Sequence, residues 1–145
     1  MTVLCVRSAS FGDLSALTFH DIVRLRLDTF IVEQNCPYRE LDGRDVLPTT
    51  QHLWIEDGGE VLGYLRMYPG AEAATWSGRV VTAPSHRNRG IGAQLMNHAL
   101  ATAPRPVRIS AQARLEGWYA ALGFVRCGDD FLEDDMLHTP MRLDG

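Results

Sequence analysis

The sequence predicts a mixed α/β fold in which one twisted β-sheet of six to seven strands is flanked by helices. Two observations carry this prediction. Short apolar runs of strand length alternate with longer segments in which apolar residues recur at helical spacing. The strands come first as a meander and then alternate with helices, an order typical of a mixed sheet. The length of 145 residues suits one domain, so we treat residues 1–145 as a single unit.

The first half of the chain predicts a strand, a helix and a hairpin. Thr18, with Asp21 three residues later, resembles a capping box, and apolar residues then follow at helical spacing until Pro37. Asp57-Gly58-Gly59 predicts a tight hairpin turn, because glycines supply positive φ angles. The predicted elements are a strand at 2–7, a helix from Thr18 towards Pro37, a polar loop at 39–50, and strands at 51–56 and 60–68.

The second half predicts two further helices between strands. The longer helix, at 90–103, stops before Pro104 and has one apolar face, formed by Ile91, Leu95, Met96, Ala99 and Leu100. The acidic segment 129–135 is expected to be a solvated loop. The other predicted elements are strands at 74–82, 107–111, 124–126 and 136–143 and a short helix at 114–122.

The charged residues exclude several classes of function. All 14 basic side chains are arginine, which excludes Schiff-base chemistry, pyridoxal phosphate anchoring and lysine-dependent phosphate loops and kinases. The net charge of −4 argues against a nucleic-acid partner. Between Ala73 and Leu115 there is no acidic residue but there are six arginines, so this segment is suited to an anion.

Cysteines and histidines give no metal-ligand spacing. Cys5, Cys36 and Cys127 are isolated, which favours a reducing cytoplasm over a disulfide framework. The histidines show no paired ligand pattern, so we expect no metal. No apolar run approaches the roughly 18 residues of a membrane span, and we expect no membrane partner.

One motif carries specific chemistry, Arg87-Asn88-Arg89-Gly90-Ile91-Gly92, which lies between a predicted strand and a predicted helix. Glycines allow a close approach of the backbone to an anion, and the first helical turn, through Ala93, offers unpaired N–H groups. The dinucleotide fingerprint fails because Leu95 stands where its third glycine belongs, and the lysine-containing phosphate loop fails for want of lysine.

The motif R-x-x-G-x-G resembles the acyl-coenzyme A motif of the GCN5-related N-acetyltransferase (GNAT) family. In that family the preceding strand, here including Val80, Val81 and Thr82, hydrogen-bonds the pantetheine arm of the cofactor. The family's later amide, tyrosine and Gly-Phe pair match Gln112, Tyr119 and Gly123-Phe124, although Gln112 replaces the more usual asparagine. The ElaA-type branch is resembled by residues 30–38, the following Glu40, Asp42-Gly43 and Asp45, and residues 63–66 and 111–113, and the resemblance covers about residues 4–142.

The resemblance implies an N-acetyltransferase that uses acetyl-coenzyme A (acetyl-CoA) and acts on an amine of a small molecule or peptide. Residues 87–93 and Gln112 would hold the donor, and a backbone N–H near Val80 or Val81 would face the thioester oxygen. Tyr119 would protonate the leaving thiolate. The candidates for the general base are Glu33, ranked first, and Glu40, His52 and His138.

Other interpretations remain open at this level. Cys36 with a histidine would be a minimal thiol nucleophile, although a packed thiol is favoured. The acidic segment 129–135, with Glu40, Asp42 and Asp45, would attract a cationic amine. A non-catalytic acyl-CoA sensor or interaction module is the alternative function. The oligomeric state is undetermined, and a homodimer is compatible with the sequence.

Overall fold

The computed structural model describes residues 4–145, in which eight strands and three α-helices are found. Every predicted strand that falls within these residues has a counterpart. In chain order the elements are β1 (Val6–Ala9), α1 (Ala16–Arg26), β2 (Gln51–Asp57), β3 (Glu60–Pro69), β4 (Thr75–Thr82), α2 (Ile91–Thr102), β5 (Val107–Gln112), α3 (Glu116–Ala120), β6 (Val125–Arg126), β7 (Phe131–Glu133) and β8 (Met136–Leu143).

All eight strands join one mixed sheet, which confirms the predicted fold class. The order is β1-β2-β3-β4-β5-β8-β6, and β7 also pairs with β8. Among the described strands, β4 and β5 form the one parallel pair. The predicted count of six to seven strands is too low because β7 lies in the segment predicted to be a solvated acidic loop. There Asp134 and Asp135 adopt positive φ angles of 50° and 61°, which close a tight hairpin with β8.

The first helix begins earlier than predicted and changes its winding at its end. Ser15, not Thr18, caps the helix: the backbone of Ser15 is extended, and its hydroxyl oxygen accepts a hydrogen bond of 3.0 Å from the Thr18 N–H. After Arg26 the chain continues as a π-helical segment over Leu27–Glu33. A π-helical turn widens the helix and often lies at a functional site. This segment reaches the cleft described below.

Helices cover both faces of the sheet. Alternation along β2 directs Leu53 and Ile55 into the cluster that contains α2, and Trp54 into the cluster that contains Ile22 of α1. The predicted apolar face of α2 is confirmed, since its five residues are all buried: Ile91, Leu95, Met96, Ala99 and Leu100. The two cores hold the central strands from opposite sides and position the strand ends near the start of α2.

Three smaller differences concern element boundaries. The first strand starts at Val6, while residues 2–3 of the predicted strand lie outside the described residues. The short helix predicted at 114–122 is divided into a 3-10 turn over Ala113–Leu115 followed by α3. The hairpin of β2 and β3 is as predicted, with Gly58 and Gly59 at φ angles of 58° and 83°. Among the described helices, none combines the length and apolar character needed to cross a membrane.

Candidate active site

The candidate site is a cleft formed where β4 and β5 separate. The two strands are paired only at Thr75 with Val107 and at Trp76 with Arg108. Beyond these pairs they diverge, and an open cleft of about 970 Å³ lies along them. Because unpaired backbone N–H and C=O groups need partners, the facing edges of two separated parallel strands suit an extended ligand that hydrogen-bonds to backbone.

A bulge in β4 lies on one wall of the cleft. Leu65 of β3 stands opposite two residues of β4, Arg79 and Val80, and Arg79 adopts a φ angle of 56°. A left-handed conformation is unfavourable for a residue with a side chain, by about 1–2 kcal/mol. The guanidinium of Arg79 holds this conformation by donating hydrogen bonds of 3.0 and 3.1 Å to the Glu40 carboxylate and carbonyl. The bulge removes the backbone near Val80 from the regular ladder.

The glycine motif forms the loop that leads into α2. Gly90 is the N-cap at a φ angle of 78°, and no side chain caps the N–H groups of the first turn. That turn contains no acidic residue. A Cβ atom on Gly92 would lie 3.2 Å from the Trp118 ring and 3.8 Å from the Thr82 hydroxyl oxygen. The free N–H groups and the helix dipole fit a phosphate-bearing ligand at the start of α2, whereas the glycine at 92 makes room for the Trp118 ring.

Arg87, the first residue of the motif, is bound by Glu33. Its two terminal nitrogens donate hydrogen bonds of 2.8 and 2.7 Å to the two carboxylate oxygens of Glu33, and both side chains are partly exposed. These hydrogen bonds and the arginine charge hold the pKa of Glu33 below its ordinary value. Both residues line the cleft. Glu33 therefore lies where the sequence hypothesis needs it, but its lowered pKa makes it a weaker base than that role requires.

Tyr119 projects from α3 into the same cleft. Its side chain is buried, with its ring edge-on to Trp118 at 4.9 Å and to Phe124 at 6.0 Å between ring centroids. Burial raises the pKa of Tyr119 to about 12. Its hydroxyl makes no hydrogen bond to any residue in the described part of the chain. The phenol is thus protonated at neutral pH and available to a ligand.

Gln112 lines the cleft but is already partly engaged. Its side-chain amide donates a hydrogen bond of 3.1 Å to Gln34, and its amide oxygen accepts one of 2.8 Å from Arg114. The family resemblance implies that Gln112 contacts the donor. In the structure Gln112 is hydrogen-bonded to Gln34, which follows the π-helical segment. A ligand contact at Gln112 therefore competes with the Gln34 amide.

A buried ionic cluster lies beside the cleft, and the sequence did not predict it. Arg26 donates hydrogen bonds of 2.5 and 2.9 Å to Glu40 and Asp45. Arg66 donates bonds of 3.0 Å to Asp45 and 2.5 Å to Asp42. The cluster ties the polar segment 39–50 to α1 and β3. Its members are up to 40 residues apart in sequence, so no local pattern signals it.

This cluster corrects the expectation that Glu40, Asp42 and Asp45 attract a cationic amine. Glu40 and Asp45 are only 3% exposed and are neutralised by arginines. The pKa of Asp42 is held well below its ordinary value: burial acts to raise it, but the hydrogen bonds and charge of Arg66 outweigh that effect. These carboxylates are structural charges, and the acidic groups that face the cleft freely come instead from β7 and its turn.

Cys36 and His52 have structural surroundings. The Cys36 thiol is buried and donates a hydrogen bond of 3.0 Å to the Asp134 carbonyl. The two ring nitrogens of His52 contact the Tyr64 hydroxyl at 2.6 Å and the Asp45 carbonyl at 2.9 Å, so His52 is not paired with the thiol. Within residues 4–145 no three histidine, cysteine, aspartate or glutamate side chains gather as a metal site.

The structure therefore brings most of the predicted site together. Its cleft is lined by Glu33, Val80, Val81, Thr82, Arg87, Gln112 and Tyr119. The remaining motif residues, Asn88, Arg89, Gly90, Ile91, Gly92 and Ala93, continue from Arg87 beyond the cleft lining into α2. Ile91 is buried in the core, so only its backbone is available to a ligand.

Comparisons with known proteins identify the family to which the chain is similar. A family model described as an acetyltransferase (GNAT) domain matches residues 19–144. The crystal structure of an acyl-CoA N-acyltransferase from Pseudomonas aeruginosa is similar, with a TM-score of 0.91 and 39% identity, over 97% of this chain and 99% of that one.

Two further relatives match over most of the chain. Escherichia coli ElaA is 31% identical over 137 residues, 90% of each chain. Its crystal structure has a TM-score of 0.90 at 28% identity, over 98% of this chain and 100% of that one. A Mycobacterium tuberculosis protein named UPF0039 protein Rv2851c is 44% identical over 138 residues, 92% of this chain and 88% of its own.

Proposed function

Because the chain belongs to the GNAT acetyltransferase family, in its ElaA-like branch, and is therefore an acyltransferase, we propose that it transfers an acetyl group from acetyl-CoA to a primary amine. The acceptor is a small molecule or a peptide, and the amine attacks the thioester directly. We propose no metal and no nucleic-acid partner. Three free cysteines suit a reducing cytoplasm as the place of the reaction, and a homodimer remains compatible with the chain.

The observation that carries this proposal is the separation of β4 from β5 in line with the uncapped start of α2. An extended pantetheine arm requires backbone partners along its length, and a pyrophosphate requires N–H donors at its end. The cleft and the glycine loop supply these groups in that order along the chain. The absence of acidic residues between Ala73 and Leu115 also suits a polyanionic donor.

We assign donor binding to residues 87–93 and to the edge of β4. Arg87 would exchange the Glu33 carboxylate for a phosphate, since arginine binds both in the same two-pronged geometry. The backbone N–H groups of Ile91, Gly92 and Ala93 would bind the pyrophosphate. The β4 edge, from Val80 to Thr82, would hold the arm, with a backbone N–H at Val80 or Val81 facing the thioester oxygen.

We assign Tyr119 to the leaving sulfur. Its hydroxyl lacks an internal partner, and its raised pKa keeps the proton on oxygen until charge develops on the thiolate. The sulfur is a favourable acceptor because a hydrogen bond to a charged group is stronger than one between neutral groups. Hydrogen bonding from Tyr119 would therefore stabilise the thiolate as the C–S bond breaks, with protonation of the sulfur following.

The test is a thiol-release assay over polyamines, amino sugars, amino acids and amino-terminal peptides, together with calorimetric binding of acetyl-CoA. We expect binding and release of coenzyme A with at least one amine. Arg87→Ala should weaken acetyl-CoA binding by about tenfold or more, whereas Arg105→Ala, outside the cleft, should not. Binding without thiol release on any amine would instead support the acyl-CoA sensor. Absence of binding would contradict both functions.

A further inference from the structure

His138 lies in the cleft, one strand away from the separated strands. It is a residue of β8, in register with Gln112 of β5. Residues paired across two strands have side chains on the same face, with Cβ atoms about 4.5–5.5 Å apart. His138 and Gln112 both line the cleft, and His138 is only 12% exposed. Of the five histidines in the sequence, all within the described residues, His138 alone lines this cleft.

The hydrogen bonds of His138 define which ring nitrogen is basic. Nδ1 lies 2.9 Å from the Met136 carbonyl oxygen. A carbonyl oxygen can only accept a hydrogen bond, so Nδ1 carries the proton in the neutral ring. The lone pair therefore resides on Nε2. This is the tautomer that a general base needs, with its unprotonated nitrogen on the side of the ring away from its own backbone.

Two residues of β7 position the ring. Phe131 is stacked on it at 5.9 Å between ring centroids, with the planes 24° apart. The Glu133 carboxylate lies 3.8 Å from Nε2 and is largely exposed. A carboxylate at this distance stabilises the imidazolium that forms when Nε2 takes a proton. The hairpin of β7 and β8 thus holds the His138 ring against Phe131 and places the Glu133 carboxylate near Nε2.

Three carboxylates of the first half of the chain are held by arginines. Glu33 is held by Arg87, and Asp42 is held by Arg66. Glu40 is buried against Arg26 and does not line the cleft. A carboxylate paired with a guanidinium binds a proton weakly, because protonation would break the ion pair. The histidine lacks such a partner.

We propose that His138 is the general base for the acceptor amine, with Glu133 as its positioning residue. The inference rests on the proposed acetyl transfer. Nε2 accepts a proton from the ammonium, and the freed lone pair of nitrogen forms the N–C bond to the thioester carbonyl. The C–S bond breaks, its electron pair leaves on sulfur, and the amine's second proton is lost as the thiol is protonated. His138 returns its proton to water, so one amide, one thiol and one free proton result.

The charged and titratable groups around His138 make the proposal testable by pH. Glu133 faces Nε2 from β7, and Asp134 follows in the turn, where its carbonyl binds the Cys36 thiol. Arg114 lies beyond Gln112 on the β5 side. If the imidazole is the base, replacing it should remove the acid limb of the pH profile of kcat/KM.

The experiment compares His138→Asn, Glu133→Gln and the control His98→Asn, an exposed residue of α2. Asparagine retains a donor for the Met136 carbonyl but has no basic nitrogen. With an amine from the thiol-release screen, we expect His138→Asn to lower kcat/KM by about 100-fold and to remove the acid limb. Glu133→Gln should retain the limb and lower kcat/KM by less than His138→Asn does, and His98→Asn should behave as wild type. Acetyl-CoA affinity should be unchanged in all three.

A second measurement, of the protonation of the His138 ring, does not require turnover. In ¹⁵N NMR spectra the neutral His138 ring should show a protonated Nδ1 and an unprotonated Nε2. His138→Asn with kcat/KM within twofold of wild type, or with its acid limb retained, overturns the assignment, as does a neutral ring protonated at Nε2. Wild-type protein that releases no thiol on any amine contradicts the transfer reaction itself, and the base with it.

Discussion

Glu33 and Arg87 form a two-pronged ion pair between residues 54 positions apart in the chain, with N–O distances of 2.8 and 2.7 Å. The pair connects the π-helical segment to the loop that leads into α2. It occupies the arginine that a donor phosphate would bind, so the carboxylate and the phosphate compete for one guanidinium. Opening of this pair is the step that we expect to accompany donor binding.

Glu33→Gln should tighten acetyl-CoA binding by about two- to fivefold. The pair is partly exposed, and such pairs contribute about 0.2–1 kcal/mol, which is the competition that the variant removes. The acid limb of kcat/KM should not change, since the base is assigned to His138. Calorimetry and a pH profile measure the two effects. Unchanged affinity with a lost acid limb would restore Glu33 as the base.

Gly92→Ala should weaken acetyl-CoA binding by about tenfold, equivalent to about 1.4 kcal/mol. The new Cβ would press on the Trp118 ring at 3.2 Å and obstruct the approach of a phosphate to the backbone. The fold should be retained, because alanine has a higher helix propensity than glycine. Gly117→Ala is the matched control in α3, where a Cβ meets nothing within 4 Å. Equal affinities for the two variants would place the pyrophosphate elsewhere.

Tyr119→Phe should lower kcat by about 100-fold and leave the Kd for acetyl-CoA nearly unchanged. The ring keeps its contacts with Trp118 and Phe124, so the lost hydroxyl is the one change at the site. Steady-state kinetics with calorimetry separates the two quantities. Turnover at the wild-type rate would remove Tyr119 from the chemistry.

Asp45→Asn should lower the free energy of unfolding by about 3–5 kcal/mol at pH 7, because it leaves Arg26 and Arg66 buried without a shared carboxylate. Burial acts to raise the pKa of Asp45, but the hydrogen bond and charges of the arginines outweigh it and the pKa is lowered. The ionised carboxylate therefore stabilises the fold above its ordinary pKa of about 3.9, and this contribution is lost as the pH falls through the lower folded value.

Urea unfolding at several pH values measures the effect. The difference between wild type and Asp45→Asn should narrow below about pH 4, where Asp45 begins to bind a proton in the unfolded chain while it is still ionised in the folded one. Glu56→Gln is the control, because its partner Arg7 is mostly exposed and such pairs contribute about 1 kcal/mol or less. A loss at Asp45 no larger than that at Glu56 would contradict a stabilising role for the buried cluster.

Much of the fold was predictable because local patterns specify it. The apolar period of α2 identified all five of its buried residues, and the turn chemistry of Gly58 and Gly59 identified the first hairpin. The strand β7 was missed because its acidic neighbours resemble a solvated loop and its pairing with β8 depends on two aspartates in left-handed conformations. The polar composition of this segment does not predict a strand, because β7 is stabilised by its pairing with β8.

Some features of the candidate site were likewise predictable from the sequence, and others depend on the tertiary structure. Residue types and spacing alone determined the family resemblance, the glycine loop and the choice of Tyr119, because a phosphate loop and the residues after it are local features of the chain. Only the tertiary structure decided the states of the acidic residues. It joined Glu33 to Arg87, enclosed Glu40 and Asp45 among arginines, and brought His138 beside Glu133 in the cleft. Charge depends on neighbours in space, and those neighbours come from distant parts of the sequence.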